Sequence, residues 1–363
     1  MRVRSSPRPY SVEFVSSLPL VATVDALAAQ SDHAVVLADR YVLAAHLGTA
    51  PAIASAPTFE VEAIEEVKSV DTALSAVEFL DSQRVSRSSL LVVVGGGIVQ
   101  DIGAFAACTY KRGVPWAYVP TTLLAQADSC IGAKSGLNFR GTKNLVGVFS
   151  APRRVLVHTG FLDTLTFEAR MSGLGEIFRL CVIGGPESLR LFERLQPDAV
   201  AGESSAINTL IRTALTIKRA VIEEDEFELD LRRSMNLGHS IGHALEAITD
   251  HQIPHGIAVA IGVLLEAELS CQRGMLPVGD REWLIRLGSP LIPHRIRDIL
   301  ETVTFDGILD VLFRDKKAEG AVLKLVVPDR IGQIRFVDLA LDSSVEPTLK
   351  AALREVVADL SDP

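Results

Sequence analysis

The sequence has 363 residues, of which 36 are lysine or arginine and 45 are aspartate or glutamate, giving a formal net charge of −9 with histidine neutral. This acidic balance argues against nucleic acid or an anionic membrane as the main partner, because binding to either depends on a broad basic surface. Hydrophobic residues make up 48% of the chain and charged residues 22%, which excludes a disordered protein. At about 150 residues per domain, we expect two domains.

The cysteine pattern and the N-terminal segment predict a soluble cytoplasmic protein. Cys108, Cys130, Cys181 and Cys271 are far apart in the sequence and form no C-x-x-C pair, so they indicate neither a disulfide framework nor a thiolate zinc site. The basic N-terminal segment is not followed by an apolar core, which argues against a signal peptide. No uninterrupted apolar run approaches the roughly 18 residues that a transmembrane helix requires.

In the first half of the chain, short apolar runs alternate with helix-like segments. The predicted strands are 33–39, 90–94, 116–119 and 155–157, and the predicted helices include 72–80 and 101–110. The strand runs are continuous in apolar character, which is typical of parallel strands buried on both faces. The alternation predicts an α/β domain, which we place at residues 1–167.

From about Glu168 onwards, longer helical periodicity replaces this alternation. Helices are predicted at 206–222, 240–248 and 256–270. Two later apolar runs, 322–327 and 334–337, are separated by PDRIGQ and predict a β-hairpin. We therefore expect residues 168–363 to form a second, mainly α-helical domain.

Residues 90–101, LLVVVGGGIVQD, lead from a buried strand through three glycines into a helix. Glycines at this place allow a sharp turn and close approach to a ligand, and the free amides of a helix start favour phosphate. The segment does not match the G-x-G-x-x-G dinucleotide fingerprint. A phosphate or dinucleotide site and a plain tight turn therefore remain as alternatives.

Residues 120–144, PTTLLAQADSCIGAKSGLNFRGTKN, are rich in hydroxyl, amide and small side chains and predict a loop. Lys134 and Lys143 lie among its glycines. In one interpretation these lysines are solvated on the surface. The apolar flanks at 123–125 and 145–149 favour the other interpretation, in which the loop lies between packed elements and its lysines meet an anion.

Half of the eight histidines lie close together in NLGHSIGHALEAITDHQIPHG. His239 and His243 are four residues apart and therefore share one helix face, which is the spacing of two metal ligands in H-E-x-x-H. His255 follows at the start of another apolar helix, with His251 between them. A histidine pair at this spacing is also typical of surface or core packing, but the third histidine favours a metal site.

Glu176, in SGLGEIFRL, is a candidate carboxylate ligand, because a metal site with two neutral imidazoles usually takes a carboxylate as well. We expect this residue to open a helix among small and apolar neighbours. The alternative is a first-turn glutamate that interacts favourably with the helix dipole. The residues alone leave these two interpretations balanced.

Other polar residues fall at inward-facing helical positions. Lys218 continues the apolar face of the helix at 206–222, so it either extends out to solvent or points toward a ligand. If the helix at 240–248 extended further back, four polar residues would share one stripe at intervals of four, three and four: Arg232, Asn236, His239 and His243.

Several separate motifs, in the same order, resemble the dehydroquinate synthase family of sugar phosphate cyclases. They are GGGIVQD, YKRG, PTTLLAQADSCIGAKSGLN, KNLVG, GLGE, NLGHSIGHALEA and PHGIAVAIG, and the resemblance extends from about Glu65 to about Val337. It implies a Rossmann-like N-terminal domain that binds NAD. It also implies a mainly helical C-terminal domain that binds a divalent metal, usually zinc, with Co²⁺ as the alternative.

The resemblance also implies roles for individual residues. The metal ligands would be Glu176, His239 and His255. His243 would then contact the substrate phosphate and would not bind the metal. The NAD contacts would be Glu65, Lys68, Gly95, Gly96, Gly97, Asp101, Thr121, Thr122, Asp128, Lys143 and Thr164. The substrate contacts would be Asp128, Lys134, Asn144, Lys218, Glu228, Arg232, Asn236 and His243, with positive charge added by Lys317 and by Arg112 of the partner subunit, which implies a homodimer.

The sequence departs from the family pattern at Arg179, where the family usually has lysine three residues after the metal-binding glutamate. We count Arg179 among the catalytic-site residues, but a planar guanidinium cannot mimic a compact ammonium that touches substrate hydroxyls. Ala133 is a milder change, at a position that is often glycine. Both changes bear on the substrate more than on the class of reaction.

The activity implied is the conversion of a 3-deoxy-heptulosonate 7-phosphate to 3-dehydroquinate and phosphate, a step of the shikimate pathway. NAD would take a hydride and give it back, without net redox change. A specialised cyclase acting on an amino-analogue or on sedoheptulose 7-phosphate is the alternative within the class. Alternatives of other classes are a metal-dependent NAD alcohol dehydrogenase of the glycerol type and a non-catalytic NAD-binding protein.

Overall fold

The computed structural model describes residues 1–6, 8–15, 19–314, 322–340 and 345–361. The chain divides into two compact units, Met1–Leu165 and Thr166–Pro363. Among the described residues, no helix combines the length and the hydropathy that crossing a bilayer requires.

The first unit is an α/β structure with one seven-stranded sheet and a separate hairpin. Its strands are β1 (Arg2–Val3), β2 (Tyr10–Phe14), β3 (Ala34–Asp39), β4 (Thr58–Val61), β5 (Leu90–Gly95), β6 (Trp116–Pro120), β7 (Lys134–Phe139), β8 (Thr142–Phe149) and β9 (Arg154–Val157). Its α-helices are α1 (Leu20–Ala28), α2 (Arg40–Val42), α3 (Pro51–Ser55), α4 (Val70–Ser82) and α5 (Gly97–Thr109). The predicted strands and helices of this half are all confirmed.

The sheet has the order β1-β2-β9-β6-β5-β3-β4, and its strands are parallel except for the β1–β2 pair. The chain passes from β3 to β4 on one side and from β5 to β6 on the other, so the topology switches direction between β3 and β5. Ligands of open parallel sheets bind outside the carboxyl ends of the strands at such a switch point. Gly95 of β5 pairs with Pro120 of β6, which places the glycine turn beside the segment after β6.

Both faces of the central strand β5 are buried, as the continuous apolar pattern predicts. Val92 and Val94 belong to a core with residues of α1 and α3. Val93 points to the other face, where it packs against α5. A Cβ added to Gly103 of α5 would lie 2.6 Å from a methyl carbon of Val93, so glycine lets the helix lie close to the sheet.

The prediction of a loop over residues 120–144 is wrong in part, because the structure has an antiparallel hairpin formed by β7 and β8. Lys134 opens this hairpin and pairs with Phe149. The turn contains Arg140 and Gly141, with φ of 49° and 78°. Positive φ at both central positions is the geometry of a type I′ turn, but arginine replaces the usual Asn or Asp signal. The sequence therefore lacks the usual signal for this two-residue hairpin turn.

The second unit is mainly α-helical and carries one two-stranded sheet. Its α-helices are α6 (Phe167–Gly184), α7 (Pro186–Ala201), α8 (Ser204–Glu224), α9 (His239–Ile248), α10 (His255–Gln272), α11 (Val278–Gly288), α12 (His294–Thr302), α13 (Phe305–Arg314) and α14 (Val345–Ser361). Its strands are β10 (Val322–Arg330) and β11 (Gln333–Ala340), which pair antiparallel. The predicted helices and the predicted hairpin are confirmed.

Helices α6 and α10 cross with their backbones in contact. A Cβ on Gly175 of α6 would lie 2.0 Å from the carbonyl oxygen of Gly256 of α10, and a Cβ on Gly256 would lie 1.8 Å from the carbonyl oxygen of Ser172. The Gly256 N–H also donates a 2.9 Å hydrogen bond to Ser172 Oγ. Only glycine permits this approach, which brings the middle of α6 to the first turn of α10.

Candidate functional site

The crossing of α6 and α10 places a buried carboxylate next to the clustered histidines. Glu176 is the tenth residue of the 18-residue helix α6, which begins at Phe167. The prediction that Glu176 opens a helix is therefore wrong, and so is its first-turn alternative. The apolar periodicity of α6 is weak because small residues occupy the crossing, and this obscured where the helix begins.

The Glu176 carboxylate faces imidazoles with one oxygen and a guanidinium with the other. Oε1 lies 3.1 Å from His255 Nε2 and 3.7 Å from His239 Nε2. Oε2 accepts a 2.6 Å hydrogen bond from Arg179 Nε. Burial raises the pKa of Glu176, but the Arg179 guanidinium and the hydrogen bond from His255 hold it well below its usual value. The side chain is thus a buried anion.

Three imidazole rings cluster beside this carboxylate, and two of them belong to the first residues of helices. His239 is the first residue of α9 and His255 the first residue of α10, while His243 lies one turn into α9 and is exposed. Ring nitrogens of the three lie within 4.8 Å of one another. The structure therefore brings together two overlapping donor sets, one of three imidazoles and one of two imidazoles with Glu176.

Glu246 fixes the orientation of the His255 ring through a hydrogen bond to the ring nitrogen that does not face Glu176. His255 Nδ1 donates a 2.9 Å hydrogen bond to Glu246 Oε2, which leaves Nε2 directed at Glu176. Burial lowers the pKa of His255, but the hydrogen bonds to both glutamates raise it to about 10. For His239, burial dominates and lowers the pKa to about 3, so this imidazole is neutral. A carboxylate behind an imidazole is the usual outer support of a ligating histidine.

Sequence reasoning missed Glu246, although a signal was available. Glu246 lies seven residues after His239 and three after His243 in HSIGHALE, so all three share one face of α9. An acidic residue on the histidine face of a helix is a candidate partner for an imidazole N–H.

Replacing Glu246 with alanine is expected to weaken the binding of Zn²⁺ by about 10–100-fold, because the His255 ring loses the acceptor that fixes its orientation. Glu246→Gln retains an oxygen acceptor without the charge and is expected to fall between alanine and the unmodified protein. The dissociation constant is measured by competition with a chromogenic chelator. Equal zinc affinity in all three proteins would contradict this role.

The start of α9 is held by a second buried glutamate, Glu266 of α10. Gly238, with φ of 79°, precedes the helix and donates its N–H to Glu266 Oε2. Glu266 is fully buried, and within the described residues its Oε1 has no hydrogen-bond partner. Burial raises the pKa of Glu266 well above its usual value, which favours the protonated side chain in the folded state.

This raised pKa predicts the sign of a pH effect on stability. The folded state keeps the Glu266 proton at pH values where the unfolded chain releases it, so the free energy of unfolding falls as pH rises above about 4.5. The loss is roughly 1.4 kcal/mol for each unit of pKa elevation. Glu266→Gln removes this penalty, and we expect it to stabilise the protein more at pH 8 than at pH 5 in urea unfolding. Glu224→Gln, at the exposed end of α8, is the control; equal effects of both substitutions at both pH values would refute the prediction.

The expected polar stripe before α9 is wrong, because the helix does not extend back past His239. Residues Leu231–Asn236 form a 3₁₀ turn, and Gly238 in the left-handed region separates this turn from α9. Within the turn, Arg232 is buried and one of its terminal nitrogens donates to the carbonyl of Glu226. Asn236 Nδ2 donates a 3.1 Å hydrogen bond to Glu228 Oε1. The turn itself, rather than a helical stripe, places these polar groups.

Lys218 lies on α8 and is only 8% exposed. The interpretation in which it extends to solvent is wrong, and the inward position is confirmed. Its distance from the ends of α8 explains the outcome, because a lysine in the middle of a packed helix has no short path to water.

In the first unit, a polar cluster forms beside the glycine turn after β5. Lys68 Nζ lies 2.8 Å from Asp101 Oδ2 on α5. Burial raises the pKa of Asp101, and the Lys68 ammonium opposes this in part. Glu65 Oε1 accepts a 2.8 Å hydrogen bond from Asn138 Nδ2 and lies 3.8 Å from Lys143 Nζ. The structure thus brings together four of the predicted cofactor residues.

The glycine turn itself is closely packed. A Cβ on Gly95 would lie 2.6 Å from Val99, and a Cβ on Gly96 would lie 3.0 Å from Thr122. Gly97 begins α5, so backbone N–H groups of its first turn are exposed to a ligand at this edge. Thr121 donates its N–H to the carbonyl of Gly95 at 3.1 Å. A helix start of this kind can bind a phosphate, and the same contacts also form a tight turn.

The remaining predicted residues lie at other positions in the first unit or outside the described part of the chain. Of these, Asn144 adjoins the polar cluster, because its N–H donates a 3.1 Å hydrogen bond to Asn138 Oδ1. Asp128 is half-buried in a π-helical turn, Ala125–Ser129, and Thr164 Oγ1 lies 2.8 Å from His46 Nε2. Lys134, Asn144 and Arg112 are exposed, the last two with positive φ. Lys317 lies outside the described residues.

Two family models match consecutive parts of this chain. The N-terminal model of 3-dehydroquinate synthase matches residues 58–172, and the C-terminal model matches residues 173–318. The curated 3-dehydroquinate synthase of Streptococcus equi subsp. equi (strain 4047) is 34% identical over 302 residues, which cover 82% of this chain and 81% of that protein. The chain belongs to the 3-dehydroquinate synthase family.

Other relatives extend this comparison. A 3-dehydroquinate synthase from Pseudarthrobacter chlorophenolicus is 35% identical over 308 residues, 84% of this chain and 82% of that protein. The solved structure of 2-epi-5-epi-valiolone synthase from Streptomyces hygroscopicus subsp. jinggangensis 5008, with NAD⁺ and Zn²⁺ bound, has a TM-score of 0.81 at 26% identity and covers 96% of this chain and 97% of that chain. Glycerol dehydrogenase from Schizosaccharomyces pombe shares the fold alone, with a TM-score of 0.65, 15% identity and coverage of 97% and 89%.

As a member of the 3-dehydroquinate synthase family, the protein is an enzyme. The predicted fold class, an α/β domain followed by a mainly helical domain, is confirmed. The family resemblance read from the sequence motifs is confirmed as well.

Proposed function

We propose that this enzyme is a sugar phosphate cyclase with 3-dehydroquinate synthase activity. It converts 3-deoxy-heptulosonate 7-phosphate to 3-dehydroquinate and phosphate and is thus a carbon–oxygen lyase acting on phosphates. The observation that carries the proposal is the position of Glu176 Oε1, between the Nε2 atoms of His239 and His255, in a chain of this family. When bound, NAD would exchange a hydride with the substrate and the metal would polarise the substrate oxygen.

The metal ligands we propose are Glu176, His239 and His255. Zn²⁺ bonds of about 2.0–2.1 Å in tetrahedral geometry place two ligand atoms roughly 3.3 Å apart. The distances from Glu176 Oε1 to the two Nε2 atoms, 3.1 and 3.7 Å, fit such an ion. An anionic carboxylate also offsets part of the charge of a divalent ion, which the three-imidazole set does not. Zn²⁺, or Co²⁺ in its place, suits this mixture of nitrogen and oxygen donors.

We propose NAD as the cofactor of the first unit, at the glycine turn after β5. The turn lies at the switch point of the parallel sheet, and the first turn of α5 offers N–H groups to a diphosphate. The Lys68–Asp101 pair borders the turn, and Glu65 is held by Asn138. The remaining cofactor contacts implied by the family resemblance, Thr121, Thr122, Asp128, Lys143 and Thr164, are part of the same proposal.

The chain's own residues would bind and orient the substrate. The buried Arg232 presents a planar fork that suits a carboxylate, and the buried Lys218 adds a second cation in the same unit. The hydrogen bond from Asn236 to Glu228 holds both amide and carboxylate in place to contact hydroxyl groups. His243, exposed beside the imidazoles of His239 and His255, would donate to the substrate phosphate.

The partners of the enzyme follow from the same proposal. The substrate is a small anionic sugar phosphate. Its phosphate would meet Lys134, Asn144 and Lys317, together with Arg112 of the partner subunit in a homodimer. We place the enzyme in the cytoplasm, because none of its four cysteines, all in the described part of the chain, forms a disulfide.

The experiment is an assay of phosphate release from a panel of sugar phosphates in the presence of NAD and Zn²⁺. We expect one phosphate for each 3-deoxy-heptulosonate 7-phosphate consumed, with no net formation of NADH. Release of phosphate only from the amino-analogue or only from sedoheptulose 7-phosphate would favour a specialised cyclase. This is the second candidate function, and it is supported by Arg179, which stands where the family usually has lysine. Steady accumulation of NADH would instead indicate an alcohol dehydrogenase.

A further inference from the structure

Arg179 is among the most deeply buried large side chains of the protein. It lies on α6, one turn after Glu176, and is only 2% exposed. Its Nε donates to Glu176 Oε2 at 2.6 Å, and one terminal nitrogen donates to the carbonyl oxygen of Met235, also at 2.6 Å. The guanidinium therefore connects helix α6 with the 3₁₀ turn before α9.

We propose that Arg179 is a positioning residue for the metal site and not a contact of the substrate. The inference rests on the proposed function, since it assumes that Glu176 is a metal ligand. A carboxylate has two oxygens that can compete for one ion. By occupying Oε2, Arg179 leaves Oε1 as the single ligand atom, and this is the oxygen that faces His239 and His255.

The second hydrogen bond extends this control to another ligand. Met235 lies four residues before His239, in the turn that also carries Arg232 and Asn236. One rigid guanidinium thus fixes the carboxylate ligand and the backbone that leads to an imidazole ligand. A planar fork can hold two acceptors at fixed directions, whereas a lysine ammonium is a point donor on a flexible stem. The change from the lysine of the family pattern to arginine therefore changes the role of this position.

The test compares Arg179→Lys, which restores the family residue, with Arg179→Gln. A matched control is Arg295→Lys, because Arg295 donates to the Glu168 carboxylate at the start of the same helix and to the carbonyl of Gln252, but is exposed. Three quantities are measured: the Zn²⁺ dissociation constant by chelator competition, the visible absorption spectrum of the Co²⁺-loaded protein, and KM and kcat at saturating metal.

We expect Arg179→Lys to raise the Zn²⁺ dissociation constant by about 10–100-fold and to alter the Co²⁺ spectrum. KM for the sugar phosphate should change by less than about 3-fold at saturating metal, while kcat falls, because the change acts through the metal ligand. Arg179→Gln should weaken metal binding at least as much. Arg295→Lys should leave the zinc affinity and the spectrum unchanged.

Zinc affinity within about 2-fold of the unmodified protein in Arg179→Lys, together with a large change in KM, would overturn the inference and make Arg179 a substrate contact. Failure of the unmodified protein itself to bind Zn²⁺ would instead refute the proposed metal site. Thermal unfolding without metal establishes that each variant is folded. If Arg179→Lys does not fold, the same criteria apply to Arg179→Gln.

Discussion

Replacing Glu176 with glutamine is expected to abolish tight zinc binding and to lower the rate of phosphate release by at least about 10³-fold, equivalent to roughly 4 kcal/mol. The amide is neutral, so it cannot offset the charge of a divalent ion between His239 and His255. The substitution also leaves the buried Arg179 without its anionic partner. Breaking a buried ion pair costs about 3–5 kcal/mol of stability, so folding and metal binding have to be measured separately.

Thermal unfolding with and without zinc separates these two effects. A ligand that binds only the folded state at about 100 times its dissociation constant stabilises the protein by roughly 2.7 kcal/mol. The unmodified protein should therefore unfold at a higher temperature with zinc, whereas Glu176→Gln should show no shift. Glu168→Gln is the matched control, because this glutamate lies on the same helix and also pairs with an arginine, but its side chain is 37% exposed, against 1% for Glu176.

The same measurements distinguish the two donor sets. If Glu176, His239 and His255 hold the metal, His243→Ala keeps its zinc affinity and raises KM for the sugar phosphate. If the three imidazoles hold it, His243→Ala loses zinc and Glu176→Gln retains it. The second pattern would contradict the proposed ligand assignment, but the protein would still be a metal-dependent enzyme.

The α/β half of the fold could be predicted because its strands are buried on both faces. Such strands are continuous apolar runs in the sequence. Every residue of β5 and of β6 is buried, and both strands are visible as runs of this kind. The hairpin of β7 and β8 could not be predicted in the same way. Every residue of β8 is exposed or half-buried, and Gly147 interrupts the alternation that marks a strand.

The candidate metal site was predictable in its residue types but not in its geometry. The spacing of His239 and His243 suggested two ligands on one helix face, yet the helix-start position of His239 and His255 brings those two imidazoles to Glu176. Helix starts and close backbone crossings depend on tertiary packing, which local periodicity does not encode. Arg179 shows the same limit, since a sequence motif gives its position but not the acceptors it holds.

Replacing Gly175 with alanine is expected to destabilise the protein by about 3 kcal/mol or more and to weaken zinc binding at the same time. The added Cβ would lie 2.0 Å from the Gly256 carbonyl oxygen, a contact with backbone that no side-chain rotation relieves. Helices α6 and α10 would have to move apart. Gly175 immediately precedes Glu176, and Gly256 immediately follows His255, so the separation acts directly on two proposed ligands.

Urea unfolding and chelator competition measure the two effects on one preparation. Gly279→Ala on α11 is the matched control, because this glycine is helical and exposed and an added Cβ there meets no atom within 4 Å. We expect that substitution to be neutral or slightly stabilising and to leave zinc affinity unchanged. If Gly175→Ala matched Gly279→Ala in both measurements, the contact between α6 and α10 would not set the distance between Glu176 and His255. The combined loss that we expect instead would make the helix crossing the structural basis of the metal site.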